Sequence, residues 1–374
     1  MRICLDFRPL LDERRSGVGN YTAGLLTALA RRPGTRDLEY VRWANSLKAP
    51  APSDLSDGPA PRLTRWPNRL LNATMSIAGW PKIEGLCGGA DLIYLPNLNF
   101  LATDRPYIVT VHDLSFTRFP QFFSPKQRLW HAAIRPGRLL RRAAAVVAVS
   151  EHTKEDIAES YGIAPQKIAV VPPAAGPEFA PAPEAAISSV RLRYGLPPRY
   201  FLCVGTIEPR KNLMAAIRSF AALGPSEAVL AVVGGSGYRA ATVRAAAAAS
   251  SATERIRFLD RVPSADLPAL YSGAVALVYP SFYEGFGMPP LEAMACGTPV
   301  IASHISSLSE VVGDAGLLVD PYRDGDIIDA MSALQQDARL RQTLIERGSE
   351  RARRFSWEKS AALLESLFRK TALG

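Results

Sequence analysis

The sequence predicts an α/β protein made of two doubly wound, Rossmann-like domains that face each other across a cleft. Three observations lead there. The chain has 374 residues, and single cores rarely grow past about 250–300 residues. Short apolar runs alternate with amphipathic stretches from end to end, the pattern of right-handed βαβ units around parallel sheets. The alternation breaks once, at Pro172-Pro173-Ala174-Ala175-Gly176-Pro177-Glu178-Phe179-Ala180-Pro181-Ala182-Pro183. Five prolines in those twelve residues can continue neither a helix nor a central strand.

Taken in order, the first half offers strands at residues 2–8, 38–43, 92–95, 108–112, 144–149 and 168–171. Helices are expected at 18–31, 125–142 and 154–161, with Pro136-Gly137 kinking or breaking the second. Residues 50–67, rich in Pro, Ser and Asp, read as a long surface loop. The second half offers strands at 201–204, 229–233, 256–258, 275–279, 299–302 and 316–319, with a helix over the alanine run 245–249. The expected division is a first domain over 1–172, a hinge over 173–199 and a second domain over 200–355.

Composition excludes several classes. At 48% apolar and 21% charged residues the chain is far too apolar to be disordered. The uncharged run 267–283 is 17 residues long and contains Pro268 and Pro280, whereas a membrane span needs about 20 mostly apolar residues. Met1-Arg2-Ile3-Cys4-Leu5-Asp6-Phe7 leads directly into a strand, so no signal peptide is expected. Cys4, Cys87, Cys203 and Cys296 are scattered without a CxxC pair, which fits a reducing, cytoplasmic compartment.

The net charge of +9 is uneven: residues 1–180 hold 23 Lys/Arg against 16 Asp/Glu. Such a basic half suits an anionic partner (nucleic acid, a phosphorylated substrate or an acidic membrane surface) or simply a solubilising surface. Residues 125–142 carry Lys126, Arg128, Arg135, Arg138, Arg141 and Arg142 around Trp130 and several leucines. That pattern fits a helix lying on an anionic leaflet as well as a core helix with a solvated basic face. No nucleic-acid fold motif or aromatic stripe accompanies it, so nucleic acid is not expected as a partner.

Doubly wound sheets bind ligands beyond the carboxyl ends of their strands, and the candidate residues fall there. Ser16-Gly17-Val18-Gly19-Asn20-Tyr21 follows the first strand and offers glycines whose backbone can approach an anion at a helix start. It is not a dinucleotide fingerprint, because Thr22 stands at the third glycine position. Val109-Thr110-Val111-His112-Asp113 puts an imidazole at a strand's end, for catalysis or as a structural histidine. In Gly205-Thr206-Ile207-Glu208-Pro209-Arg210-Lys211-Asn212, two cations precede a helix whose dipole repels them. An anion between them and the helix explains the placement; two solvated charges are the alternative.

The most informative stretch is Glu284-Gly285-Phe286-Gly287-Met288-Pro289-Pro290-Leu291-Glu292, a glycine-rich loop opening a short helix. One carboxylate can accept from sugar hydroxyls and the other from a ribose, while exposed amides of Phe286, Gly287 and Met288 donate to the same ligand. Asp324-Gly325-Asp326 is formally a D-x-D, but it opens a helix and reads as capping, so no metal site is expected.

The pair Glu284 and Glu292, with Gly285-Phe286-Gly287 between and Gly297-Thr298-Pro299-Val300 after, resembles the E-x7-E signature of retaining family-4 glycosyltransferases with the GT-B fold. The segment from Gly205 to Asn212 resembles that family's phosphate-binding stretch. Gly17 and Gly19, His112-Asp113 and Val149-Ser150-Glu151 resemble its first-domain motifs, in order. Phe355-Ser356-Trp357-Glu358-Lys359 resembles the start of its last helix, which joins residues of about 356–374 to the first domain.

The resemblance implies that Arg210 and Lys211 neutralise the donor diphosphate and that Glu292 holds the nucleotide ribose. Glu284 and the backbone of Phe286, Gly287, Met288 and Leu291 would hold the donor sugar. Gly17, Gly19 and Gly205 would border the diphosphate, and His112 would sit beside the reacting sugar. Thr206 stands where many members carry the phosphate-binding Arg, so Arg210 is taken for that role. The version Glu208-Pro209-Arg210-Lys211-Asn212 is most similar to mannosyltransferases that use GDP-mannose. The implied activity is metal-independent, cofactor-free, retaining transfer of mannose from a nucleotide sugar to a lipid-linked saccharide or polysaccharide. It belongs to lipopolysaccharide-type surface-glycan synthesis, in the cytoplasm or on the membrane's inner face. The alternatives are another donor such as a UDP-sugar, a nucleotide-sugar epimerase of related architecture, or a catalytically silent partner subunit.

Overall fold

The structure is a computed structural model that describes residues 1–11, 17–32, 38–47 and 60–373. The chain divides into two compact units. One comprises Met1–Arg118, Pro125–Pro173 and Ser356–Gly374, the other Phe119–Ser124 and Ala174–Phe355.

The first unit is built on a seven-stranded sheet. Its strands are β1 (Arg2–Asp6), β2 (Glu39–Asn45), β3 (Arg62–Thr64), β4 (Leu92–Leu95), β5 (Tyr107–Val111), β6 (Ala145–Ala148) and β7 (Ile168–Val170), in the order β3-β2-β1-β4-β5-β6-β7. Every ladder is parallel. β4, β5 and β6 are buried along their whole length, as expected where helices cover both faces and each residue, not every second one, meets a core. Trp43, Ile93, Val109, Leu140 and Val146 form that core. The strand order reverses between β1 and β4, which opens a crevice at their carboxyl ends.

One expectation for this unit changes and another is met. Residues 62–64, read as part of the loop 50–67, form the edge strand β3; residues 48–59 lie outside the described residues. Three residues carry no periodicity of their own, and it is the partner that makes this strand: Trp43 pairs with Arg62, and the Asn45 side chain binds both Trp66 N (3.0 Å) and Trp66 O (2.9 Å). The stretch 125–142 breaks where Pro136-Gly137 was expected to interrupt it, into the helices Pro125–Ile134 and Pro136–Arg142, separated by Arg135 in the left-handed region (φ 56, ψ 61). Pro136 can close no bond to the preceding turn, so the helix restarts there.

The last helix, Trp357–Leu373, packs on the helix Gly17–Arg31. A Cβ placed on Gly24 would fall 2.4 Å from Trp357 Cε2, so the tryptophan ring occupies the space that glycine leaves. Ser360 Oγ donates to Pro172 O at 2.6 Å, and Arg32 pairs with Glu365 at 2.5 Å.

The second unit repeats the plan with six parallel strands. They are β8 (Tyr200–Val204), β9 (Val229–Val233), β10 (Ile256–Asp260), β11 (Ala276–Tyr279), β12 (Val300–Ser303) and β13 (Leu317–Val319), ordered β10-β9-β8-β11-β12-β13. Phe201, Phe220, Leu230, Val278 and Met331 lie in its core. The order reverses between β8 and β11. Within the expected hinge 173–199, residues 184–194 instead form the helix Glu184–Tyr194, ended by Gly195 in the left-handed region (φ 61). The chain is free of proline between Pro183 and Pro197, which removes the obstacle to a helix. Among the described residues no helix is long and apolar enough to cross a membrane.

Candidate active site

The second unit's crevice begins with the turn after β8. The loop 205–208 lies backbone-to-backbone on the loop after β9: Gly205 N donates to Val233 O (2.9 Å), and Ile207 N donates to Gly235 O (2.9 Å). Gly234, at φ +152, makes this approach possible, since a Cβ there would sit 1.8 Å from Gly205 O. The short turn Pro209–Lys211 then points two cations at the loop that follows β11. Asn212 in the left-handed region (φ 52) and its Nδ2 bond to Pro321 O (2.8 Å) fix the start of the helix Leu213–Ala222.

Arg210 and Lys211 both meet Glu284. Arg210 NH1 donates to Glu284 Oε2 at 2.7 Å and to Tyr283 O at 2.8 Å. Lys211 Nζ donates to Glu284 Oε1 at 2.6 Å and to Tyr279 OH at 2.6 Å. Glu208 Oε1 takes the other side of the Arg210 fork, at 2.8 and 3.2 Å. The anion that meets the two cations in this structure is therefore the protein's own, Glu284 with Glu208. Sequence alone left a ligand anion or two solvated charges there. Burial raises the Glu284 pKa, but the Arg210 and Lys211 charges and their hydrogen bonds outweigh it and hold the carboxyl near about 2. Burial lowers the Lys211 pKa, against the pull of Glu284. Burial, then the Glu284 charge, keeps the Tyr279 phenol far above its ordinary value and so neutral.

The loop carrying Glu284 is tied from β12's far side. Ser307 Oγ donates to Glu284 O and Phe286 O, each at 2.8 Å, and Glu284 N donates to Ser306 Oγ at 3.1 Å. The expectation of an exposed loop changes: residues 283–287 are buried. Gly287 (φ +113) leads into the helix Met288–Ala295, whose first turn has no side-chain cap. Pro289 and Pro290 carry no N–H, and Leu291 N donates to Gly287 O (3.4 Å). Leu291 is thereby removed as a backbone donor, and the helix start presents the amides of Gly287 and Met288.

Glu292 lies one turn further, 9% exposed. Its Oε2 accepts from Tyr271 OH at 2.8 Å. Burial raises its pKa to about 7, against the lowering bond from Tyr271 and with a raising contribution from Glu178. The two carboxyls of the motif thus differ in state: Glu284 is ionised and neutralised, whereas Glu292 titrates near neutrality. The reading of Asp324 and Asp326 as caps also changes. The N-cap of Asp324–Gln336 is Arg323 and has no side-chain cap bond, while Asp324 pairs with Arg218 at 2.6 and 2.8 Å. Among the described residues no three His, Cys, Asp or Glu side chains come together as a metal would require.

In the first unit His112 follows β5. Its Nε2 lies 2.8 Å from Pro96 O; a carbonyl only accepts, so Nε2 carries the proton and Nδ1 is left as acceptor. Burial lowers its pKa, against the Pro96 bond and Asp113, so the ring is a neutral acceptor near pH 7. Tyr21 packs edge-on to it, with centroids 4.9 Å apart. Gly17 opens the helix Gly17–Arg31 and Gly19 is buried in its first turn; Ser16 lies outside the described residues. Ser150 caps the helix Glu151–Tyr161, its Oγ accepting from Thr153 N at 3.0 Å. Glu208 and Tyr279, which adjoin the motif residues in the chain, were given no role from the sequence, and Tyr271, Ser306 and Ser307 went unnoticed. These last three share no spacing with the motif residues and are brought to them by neighbouring elements.

The sequence profile described as "Glycosyltransferase Family 4" matches residues 15–179, and that described as "Glycosyl transferases group 1" matches residues 191–351. The O-antigen chain mannosyltransferase B of Escherichia coli is 32% identical over 358 residues, covering 92% of this chain and 93% of the relative. A D-inositol 3-phosphate glycosyltransferase of Salinispora arenicola is 30% identical over 382 residues, covering 90% and 84%. Among solved structures, the Anabaena protein HepE in complex with UDP-glucose superposes with a TM-score of 0.75 at 18% identity, over 99% of this chain and 100% of that one.

Proposed function

This chain belongs to glycosyltransferase family 4, with two parallel-sheet α/β domains of the GT-B type, and on that premise we propose that it transfers mannose, with retention, from GDP-mannose. The acceptor is a lipid-linked saccharide or polysaccharide of a surface glycan, reached at the inner face of the membrane without a metal. The observation that carries this reading is the cluster of Arg210 and Lys211 on Glu284 at the second unit's switch point.

Arg210 and Lys211 are assigned to the donor diphosphate, with Gly205 bordering it through its bare Cα because its N–H is already given to Val233 O, Glu292 to the ribose, and Glu284 with the amides of Phe286, Gly287 and Met288 to the sugar. Glu208 and Glu284 balance the charge of the two cations. When the bond from anomeric carbon to phosphate oxygen breaks, charge grows on the diphosphate, and fixed cations stabilise it more in the transition state than before. The acceptor hydroxyl forms the new bond on the face the diphosphate leaves, and its proton passes to the departing phosphate. No separate nucleophile is needed. Gly17, Gly19 and His112 are assigned to the same donor by the family motifs, His112 as a neutral acceptor beside the sugar.

For the acceptor, the first unit offers a cavity of about 370 Å³ lined by Asn68, Asn72, Asn97, Asn99 and Trp130. Arg8 also lines it but is neutralised by both oxygens of Asp6, at 2.7–3.0 Å. Amide groups beside an indole and without net charge suit a neutral saccharide.

A second reading keeps the chemistry and replaces GDP-mannose with a UDP-sugar, favoured by the UDP-glucose complex of the Anabaena relative. Thermal melting of the purified protein against GDP, GDP-mannose, UDP and UDP-glucose, with and without EDTA, decides between them, since a ligand of the folded state raises Tm. Stabilisation by GDP compounds that survives EDTA is the expected result. Preference for UDP compounds replaces the donor, loss with EDTA overturns metal independence, and no response to any of the four overturns the transferase mechanism.

A further inference from the structure

The first unit holds a larger cavity, about 870 Å³, which shares Asn99 with the smaller one and lies away from the residues assigned to the donor. It borders Arg105, Pro106 and Tyr107, at the start of β5. His112 follows the other end of that strand, five residues or roughly 17 Å away. Its walls are the end of the helix Asn68–Ile77 (Met75, Ile77), the segment 99–104, and Arg135 with the helix Pro136–Arg142.

Two features of the lining stand together. Arg105, Arg135, Arg138 and Arg142 all face the cavity, and among the described residues none of their guanidinium groups has a hydrogen-bond or carboxylate partner. Asp104, the lining's one carboxylate, is already paired with Lys82 at 2.6 Å. Four like charges around one space repel each other unless an anion enters. Arg135 stands there on left-handed backbone (φ 56), the kind of strain retained where a site requires it. The second feature is apolar. Ile77, Leu101, Ile134 and Leu139 line the same space; Ile77 is 86% exposed and nearby Trp80 is 55% exposed. A bare inorganic anion makes no use of such a wall, whereas an acyl or prenyl chain does.

We propose that this cavity is a binding site for the phosphate group of an anionic lipid, held by Arg105, Arg135, Arg138 and Arg142 with the hydrocarbon laid against Ile77 and Leu101. This rests on the reading that the chain works at an anionic membrane and adds to it one discrete, stoichiometric lipid site. Only three of the basic residues of 125–142 take part; Lys126, Arg128 and Arg141 lie outside the lining.

The test is calorimetric titration of the full chain with monomeric dihexanoyl phosphatidic acid, dihexanoyl phosphatidylcholine and inorganic phosphate, beside sedimentation with phosphatidylglycerol vesicles. One equivalent of phosphatidic acid is expected to bind, at least tenfold tighter than inorganic phosphate, with phosphatidylcholine silent. The double variant Arg138→Gln/Arg142→Gln weakens it at least tenfold, whereas Lys126→Gln/Arg141→Gln, with the same charge loss, changes it less than twofold. Melting temperatures verify that both variants fold, and the wild-type stoichiometry stands independently of them. Equal weakening in the two variants overturns the site in favour of diffuse attraction. Phosphate binding as tight as the lipid overturns it in favour of a soluble anion. Vesicle binding without monomer binding also overturns the site while leaving the membrane reading intact; monomer binding without vesicle binding supports the site and overturns the membrane reading.

Discussion

Replacing Glu292 with Gln separates the two carboxyls of the motif by their electrostatics. The Glu292 side chain is buried, accepts from Tyr271 OH at 2.8 Å, and has its pKa raised to about 7 from an ordinary 4.5. The folded state therefore binds more protons than the unfolded state between those values. The group's stability contribution is complete below pH 4.5 and is lost as pH rises to about 7. The shift corresponds to about 3 kcal/mol. Gln keeps an acceptor for Tyr271 but cannot ionise. The variant is expected to gain on the wild type by about 3 kcal/mol between pH 4.5 and 7, with no further change above. Calorimetric unfolding at pH 5, 6, 7 and 8 measures this. Tryptophan fluorescence does not, because Trp43, Trp66, Trp80, Trp130 and Trp357 all belong to the first unit. The nucleotide supplies a second readout: if the ionised carboxylate accepts from the ribose, GDP binding to the wild type weakens about tenfold per pH unit below 7, and the variant shows no such slope. A wild-type-to-variant stability difference that stays constant from pH 5 to 8 would refute the reasoning.

The Glu284 pKa of about 2 lies below its ordinary 4.5, so its stabilisation is complete above pH 4.5 and disappears as pH falls toward 2. Glu284→Gln should lose that dependence, about 3 kcal/mol across the interval, in acid unfolding. Lys211→Met removes the Nζ bonds to Glu284 and Tyr279; stability should fall by about 3 kcal/mol and donor-hydrolysis kcat by about 100-fold, and an unchanged kcat would exclude the leaving-group role. Gly234→Ala drives a Cβ to 1.8 Å from Gly205 O and should cost about 3 kcal/mol or more. Gly17→Ala meets nothing within 4 Å and should leave the melting temperature unchanged or slightly raised; the two thermal melts measured side by side make the comparison.

Most of the architecture was legible in the chain. Runs such as 92–95 and 229–233 are continuously apolar because a parallel sheet buries both of its faces, and that demand shows in every residue. β3 was not legible, since an edge strand of three residues exists only through its partner. The helix inside the expected hinge was obscured by the prolines just before it. In the second unit the sequence pointed to Arg210, Lys211, Glu284 and Glu292, because they sit where strand meets loop and helix.

Which of those charges face each other was beyond the sequence. Glu284 lies 74 positions from Arg210, and its pairing with both cations follows from β11 lying beside β8 in the sheet. The same placement decides protonation: one carboxyl of the motif lies against two cations, and the other is buried with a phenol as its hydrogen-bond partner and the Glu178 charge opposing its ionisation. Residue identity and spacing determined the fold class, the family and the residues that gather at the strand ends. Partners, burial and therefore charge state were decided by tertiary structure alone, because a pKa depends on what surrounds a group in space, and neighbouring strands bring together residues that no local pattern relates.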